Sequence, residues 1–73
     1  MKLNRELNFD DLEPFGFKKE GVCWTYYWGE QGSPSIGELI VDPHREVGIC
    51  TWRAGVTELP AVLIELIKEE VFV

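Results

Sequence analysis

The stretch Cys23-Trp24-Thr25-Tyr26-Tyr27-Trp28 decides how this chain is read. Four of its six residues are aromatic. As a strand it sends alternate side chains to opposite faces of a sheet. Trp24, Tyr26 and Trp28 then share one face with Val22, while Cys23, Thr25 and Tyr27 share the other. Both faces are bulky. A small two-layer domain buries one such face under a helix and has little left to cover the second, so the segment predicts a strand with a contact surface.

Two further strands follow, over residues 35–41 and 46–53. The first divides into Ile36, Glu38 and Ile40 on one face and Gly37, Leu39 and Val41 on the other. A carboxylate between two isoleucines suggests a face that stays wet, so Leu39 and Val41 mark the core side. Ile36 and Ile40 then belong to a half-open face. The next strand alternates Val47, Ile49 and Thr51 with Gly48, Cys50 and Trp52. Asp42-Pro43-His44-Arg45 joins the two as a type I turn, with Asp and Pro in its first two positions. Gly29-Glu30-Gln31-Gly32-Ser33-Pro34 is rich in breakers and reads as the preceding loop.

Helices flank the meander. Asn8 caps a short first turn with Asp10 and Asp11 at its positive end. Pro14 ends or tightens that turn, and Gly16 offers a left-handed stop. Phe17 opens an extended segment, and Lys18-Lys19-Glu20-Gly21 reads as a turn or bulge. After the link Ala54-Gly55-Val56, Thr57 is a plausible N-cap, with Pro60 early enough to be tolerated. Leu59, Val62, Leu63, Leu66 and Ile67 form one apolar stripe at helical spacing. Val71-Phe72-Val73 either adds a short edge strand or covers the open end of the core. The expected fold is a single α+β domain over residues 1–73, ordered αβββα. It has a short N-terminal helix, a three-stranded antiparallel meander and a C-terminal amphipathic helix on one sheet face. The first helix partly covers the other face.

Composition narrows the function. The net charge of −6 favours solubility and disfavours sequence-independent binding to a phosphate backbone. Aromatic sheets that stack bases also carry a basic groove, whereas this sheet region sets Glu30, Glu38, Asp42 and Glu46 against Arg45 and Arg53. No nucleic acid is expected as partner. The residues after Met1 show no apolar signal-peptide core, and no run approaches the ~20 residues that span a bilayer. The expectation is a cytoplasmic protein without a membrane partner.

No catalytic, cofactor or metal site is expected. His44 is the sole histidine and sits in a turn, where a solvated side chain is the ordinary reading. Cys23 and Cys50 with His44 would make a minimal nucleophile and base, but no third residue stands out to orient the imidazole. With one strand between them, the cysteines' Cα atoms would lie roughly 9–10 Å apart, too far for a disulfide. They read as free thiols. One His and two distant Cys supply no metal site. Gly29-Glu30-Gln31-Gly32-Ser33 lacks the Lys-Ser/Thr pair and the helix start of a phosphate cradle.

The segments from Phe9 to Phe17, the aromatic strand, Ile40-Val41-Asp42 and Leu63-Ile64-Glu65-Leu66-Ile67 together resemble small acidic proteins of unknown function from Gram-positive bacteria, their phages and mobile elements. The resemblance carries no catalytic motif and implies a small accessory or regulatory role. The leading expectation is a non-enzymatic module that binds a protein partner, or itself as a homodimer, through an aromatic sheet face. Its anchors would be Trp24, Tyr26 and Trp28, with Ile36, Ile40 or Trp52 adding area according to register. The alternative is an acidic inhibitor that occupies the nucleic-acid site of a basic enzyme.

Overall fold

The computed structural model describes residues 1–29, 35–52 and 59–73. The turn elements expected over residues 30–34, the link 54–56 and the Thr57 cap lie outside them. A 3₁₀ helix, Phe9–Phe15, leads into four strands, β1 (Lys18–Glu20), β2 (Cys23–Trp28), β3 (Gly37–Val41) and β4 (Val47–Thr51), and then helix α1 (Ala61–Lys68). The strands form one antiparallel sheet in the order β1-β2-β3-β4. The α+β class and the meander are as expected; the described residues form four strands rather than three.

The added strand is β1. Its residues Lys18, Lys19 and Glu20 are all exposed, so it carries no apolar alternation to announce it. Backbone pairing defines it: Lys18, Lys19 and Glu20 face Thr25, Trp24 and Cys23. Gly21 and Val22 close this hairpin. Gly21 has φ +61° and Val22 is not left-handed, which is what a type II′ turn needs. Lysines on an exposed edge also discourage stray strand addition.

The first helical turn tightens throughout into 3₁₀ geometry, with Pro14 inside it. Asn8 starts it: its N–H donates to the Asp11 carboxylate at 2.8 Å. Gly16 ends it at φ +97°. Between β3 and β4, the Asp42 carboxylate accepts from His44 N–H and Glu46 N–H at 2.9 and 3.0 Å. The Arg45 N–H donates to the Asp42 carbonyl at 2.9 Å. Arg45 then takes φ +70°, so the type I turn finishes with a left-handed residue.

Both chain ends join the sheet side by side. Met1 to Asn4 runs beside the start of β4, with Leu3 N–H donating to the Arg45 carbonyl at 2.8 Å and Val47 N–H to the Met1 carbonyl at 3.0 Å. On its other side it exchanges hydrogen bonds with Val71 and Val73. Of the two alternatives for Val71-Phe72-Val73, the cover is the one formed: Val71 and Phe72 are buried, and the segment makes an isolated bridge between Leu3 and Phe72 rather than an edge strand.

One core cluster holds Leu3, Leu12, Phe17, Trp24, Leu39, Val41, Leu63, Leu66, Val71 and Phe72. Leu39 and Val41 are on the core side, as their row predicts. The register sets Val41 opposite Trp24, Leu39 opposite Tyr26 and Gly37 opposite Trp28. The aromatic row of β2 is thus on the core side too. Leu12 and Phe17, from the first helical turn and the residues after it, join the same cluster as Leu63 and Leu66 of α1. Phe17 packs on Tyr26 at 5.5 Å and edge-on to Phe72 at 6.1 Å. The first helix was expected on the opposite face; instead it shares a layer with α1. The α1 stripe is narrower than its spacing suggested. Leu63 and Leu66 are buried and Val62 is half-buried, while Leu59 and Ile67 are exposed. An eight-residue helix makes little more than two turns of contact.

Candidate functional site

With both helices on one side, the opposite face of the sheet has no helix over it among the described residues. β2 contributes Cys23, Thr25 and Tyr27 to this open face. β3 contributes Glu38 and Ile40, and β4 Gly48 and Cys50, with Ile36 and Trp52 just beyond the paired ends. The Trp52 N–H donates to the Ile36 carbonyl at 3.2 Å, which carries the β3–β4 register one step further.

Two large rings dominate the surface. Tyr27 is 46% exposed and Trp52 52%, and their centroids lie 6.2 Å apart with planes at 55°. Each is tied down at its polar end. The Tyr27 hydroxyl donates to Glu20 Oε2 at 2.8 Å, and the Trp52 indole Nε1–H donates to the Ser35 carbonyl at 2.7 Å. To reach Glu20, the Tyr27 ring runs back along β2 past Thr25, which helps explain why Thr25 is only 5% exposed. The Thr25 hydroxyl donates to the Lys18 carbonyl at 3.4 Å.

Negative charge gathers around the rings. Glu38 is half-buried and pairs across the strands with Tyr27 on one side and Cys50 on the other. Glu20 and Glu46 lie on the same face. The Tyr27 phenol is held above its ordinary value of 10.0, first by its hydrogen bond to Glu20, then by desolvation and by the charges of Glu20 and Glu38. Of the bases on this side, Lys2 is engaged with Glu46 at 3.3 Å and Lys18 sits at the β1 edge.

No family model, curated protein or solved structure matches this chain. The surface must therefore be read from its own chemistry.

The six residues expected as anchors divide between the two faces. Ile36, Ile40 and Trp52 are on the open face, the isoleucines half-buried and the tryptophan exposed. Trp24, Tyr26 and Trp28 face the core layer. Trp24 is 9% exposed, and Trp28 folds its ring over Gly37, leaving no room there for a Cβ. Register forbids the six from forming one patch. Tyr27 was missed as an anchor because its neighbours in sequence are larger. The signal that could have found it is its parity with Glu38 and Trp52 once Leu39 is taken as core.

Trp24 still touches solvent at its rim. Two shallow grooves flank it, of about 370 Å³ along Gly16, Phe17 and Lys18 and about 300 Å³ along Phe9, Val22 and Pro43, with Lys19 bordering both. Neither gathers reactive groups. Among the described residues no three His, Cys, Asp or Glu side chains cluster closely enough to hold a metal ion. His44 is exposed, and its backbone N–H serves the Asp42 turn. Both thiols are free, with Cys50 exposed and Cys23 half-buried. Among the described residues no helix is long and apolar enough to cross a membrane.

Proposed function

We propose that this protein is a small non-enzymatic interaction module that binds a protein partner through the open face of its sheet. One observation supports this reading above the others. Tyr27 and Trp52 are large, exposed rings on an uncovered face, and each is fixed by its own hydrogen bond. Immobilised aromatics lose little side-chain entropy on binding and dominate interface energetics. An accessory or regulatory role in the cytoplasm fits a module of this size.

Self-association is the less favoured form. In a face-to-face copy, two faces that each carry Glu20, Glu38 and Glu46 would be apposed, and like charge brought together destabilises an interface. The same carboxylates keep open the reading of an acidic inhibitor on a basic enzyme.

The first test is the solution mass over a concentration series, with monomer expected. The second compares the proteins retained from a cell lysate by the wild-type chain and by a folded Trp52→Ala variant. The reading expects species lost with the variant. Identical retention by the two, with monomers throughout, sinks it.

A further inference from the structure

The open face also specifies a chemistry for its occupant, which rests on the interaction reading above. We propose that the Tyr27–Trp52 platform, with the Glu38 carboxylate beside it, receives an arginine side chain from a basic segment of a partner protein.

The argument is geometric and electrostatic. The two rings lie 6.2 Å apart and are inclined at 55°, so they form an open aromatic corner rather than a closed stack. A ring face attracts a cation through its quadrupole, and guanidinium groups favour such positions because they stack flat and are weakly hydrated. Glu38 is the residue directly opposite Tyr27 on the neighbouring strand, and Trp52 lies diagonally from it across β4. On one face of a sheet, such direct and diagonal neighbours are within reach of one another's long side chains. Glu38 is half-buried as a residue, and its carboxylate makes no ion pair or hydrogen bond among the described residues. It can accept two parallel N–H bonds from a guanidinium lying on the rings. Glu20 is already committed to the Tyr27 hydroxyl and acts as a further negative charge at the rim.

Competing occupants fit less well. A purely apolar segment would leave the Glu38 carboxylate buried against it without a partner, which costs free energy. A phosphate-bearing ligand would meet like charge. An ammonium group would gain the charge attraction but not the flat stacking or the paired hydrogen bonds.

The test is an amide-resolved NMR titration of the ¹⁵N-labelled protein with short Gly-Ser peptides that differ in one central residue: arginine, lysine or leucine. The expected result is that the arginine peptide shifts the amides of β2, β3 and β4 and the Trp52 indole N–H. Glu38→Gln and Trp52→Ala should each weaken it roughly fivefold or more. Trp52→Phe keeps a ring on the same backbone and should retain more affinity than Trp52→Ala. A leucine peptide that binds the same face as tightly overturns arginine recognition and leaves the interaction face standing. A lysine peptide that matches arginine overturns the guanidinium assignment. Shifts spread over Glu65, Glu69 and Glu70 and indifferent to both variants mean general attraction to an acidic chain, which overturns it as well. If no probe touches the open face and Trp52→Ala changes neither solution mass nor retention, the interaction reading falls too.

Discussion

Among the described residues, two outside glycine take left-handed backbone angles, Arg45 at φ +70° and Glu70 at φ +58°, and both flank the N-terminal segment. Such a conformation costs roughly 1–2 kcal/mol for a residue with a Cβ. Arg45 has compensation. Its Nη1 donates to the carbonyls of Asn4 and Leu7 at 3.0 and 2.7 Å, and its guanidinium lies 5.1 Å from the Phe9 ring centre. Glu70 offers its carbonyl to the Asn4 amide at 3.0 Å, which any residue could do, and its side chain makes no hydrogen bond or ion pair among the described residues. Replacing each by glycine should therefore have opposite effects. Glu70→Gly should raise unfolding stability by about 0.5–1 kcal/mol, whereas Arg45→Gly should lower it by about 1–2 kcal/mol as two carbonyls lose their charged donor; urea unfolding measures both. Tyr27 titration supplies another residue-scale check. Its folded pKa is raised, so its contribution to stability is fully present below about 10 and is lost as pH climbs through the higher folded value. Glu20→Gln removes the largest cause, and ¹³C NMR of the tyrosine ring should then show Tyr27 titrating at lower pH. No change would mean that the Glu20 contact does not persist in solution.

At the level of elements, the β2–β3 pairing decides what the aromatic strand does. Gly37 lies under the Trp28 ring, and a Cβ there would also come within 2.8 Å of the Cys50 carbonyl oxygen. A glycine opposite a tryptophan lets the indole lie flat on the sheet and close the end of the core. Gly37→Ala should lift that ring and cost about 1–3 kcal/mol, with a blue-shift of Trp28 emission lost in a background where Trp24 and Trp52 are phenylalanine. Trp28→Ala should cost about 2 kcal/mol and leave open-face binding unchanged, because Trp28 points to the other side. This pairing also marks the limit of what the sequence reveals. The alternation in β3 and β4, the Asp42-Pro43 turn, the Asn8 start and the Gly16 stop were all legible, because each is a local preference of the residues concerned. Leu39 and Val41 were legible as core because Glu38 broke the other row. The facing of β2 was not, since both its rows are bulky and register is a nonlocal property. β1 escaped because Lys18-Lys19-Glu20 has no buried side chain, and only its backbone pairing with β2 makes it a strand. The site inherited this gap: Ile36 and Ile40 were legible on the half-open side, while the facing of Trp52 depended on register and the role of Tyr27 needed the β2 facing.

For the whole molecule, the same economy explains both the exposed face and the joined ends. A chain of 73 residues has enough apolar volume for one core layer, and here that layer lies on one side of the sheet, over β2 and β3, while Ile49 and Thr51 on the same side of β4 stay exposed. Domains of this size are typically stable by only about 0.05–0.15 kcal/mol per residue, so frayed ends would cost a large share. Instead, Lys2 N–H donates to the Val73 carbonyl at 2.7 Å, Val73 N–H to the Lys2 carbonyl at 2.8 Å and Asn4 N–H to the Val71 carbonyl at 2.8 Å. Leu3 and Phe72, each 1% exposed, are the side chains that this pairing drives into the core. The termini should then open only with the whole domain. Native-state hydrogen exchange is expected to protect the amides of Leu3 and Asn4 as strongly as the central amides of β3, against the usual behaviour of chain ends. Phe72→Ala should remove about 3–5 kcal/mol, enough to leave a substantial unfolded population, and should lower protection at Leu3, Leu39 and Leu66 together. If the amides at residues 2–4 exchange freely while β3 stays protected, the terminal pairing is not part of the cooperative unit. The core would then be closed by α1 and the 3₁₀ helix alone.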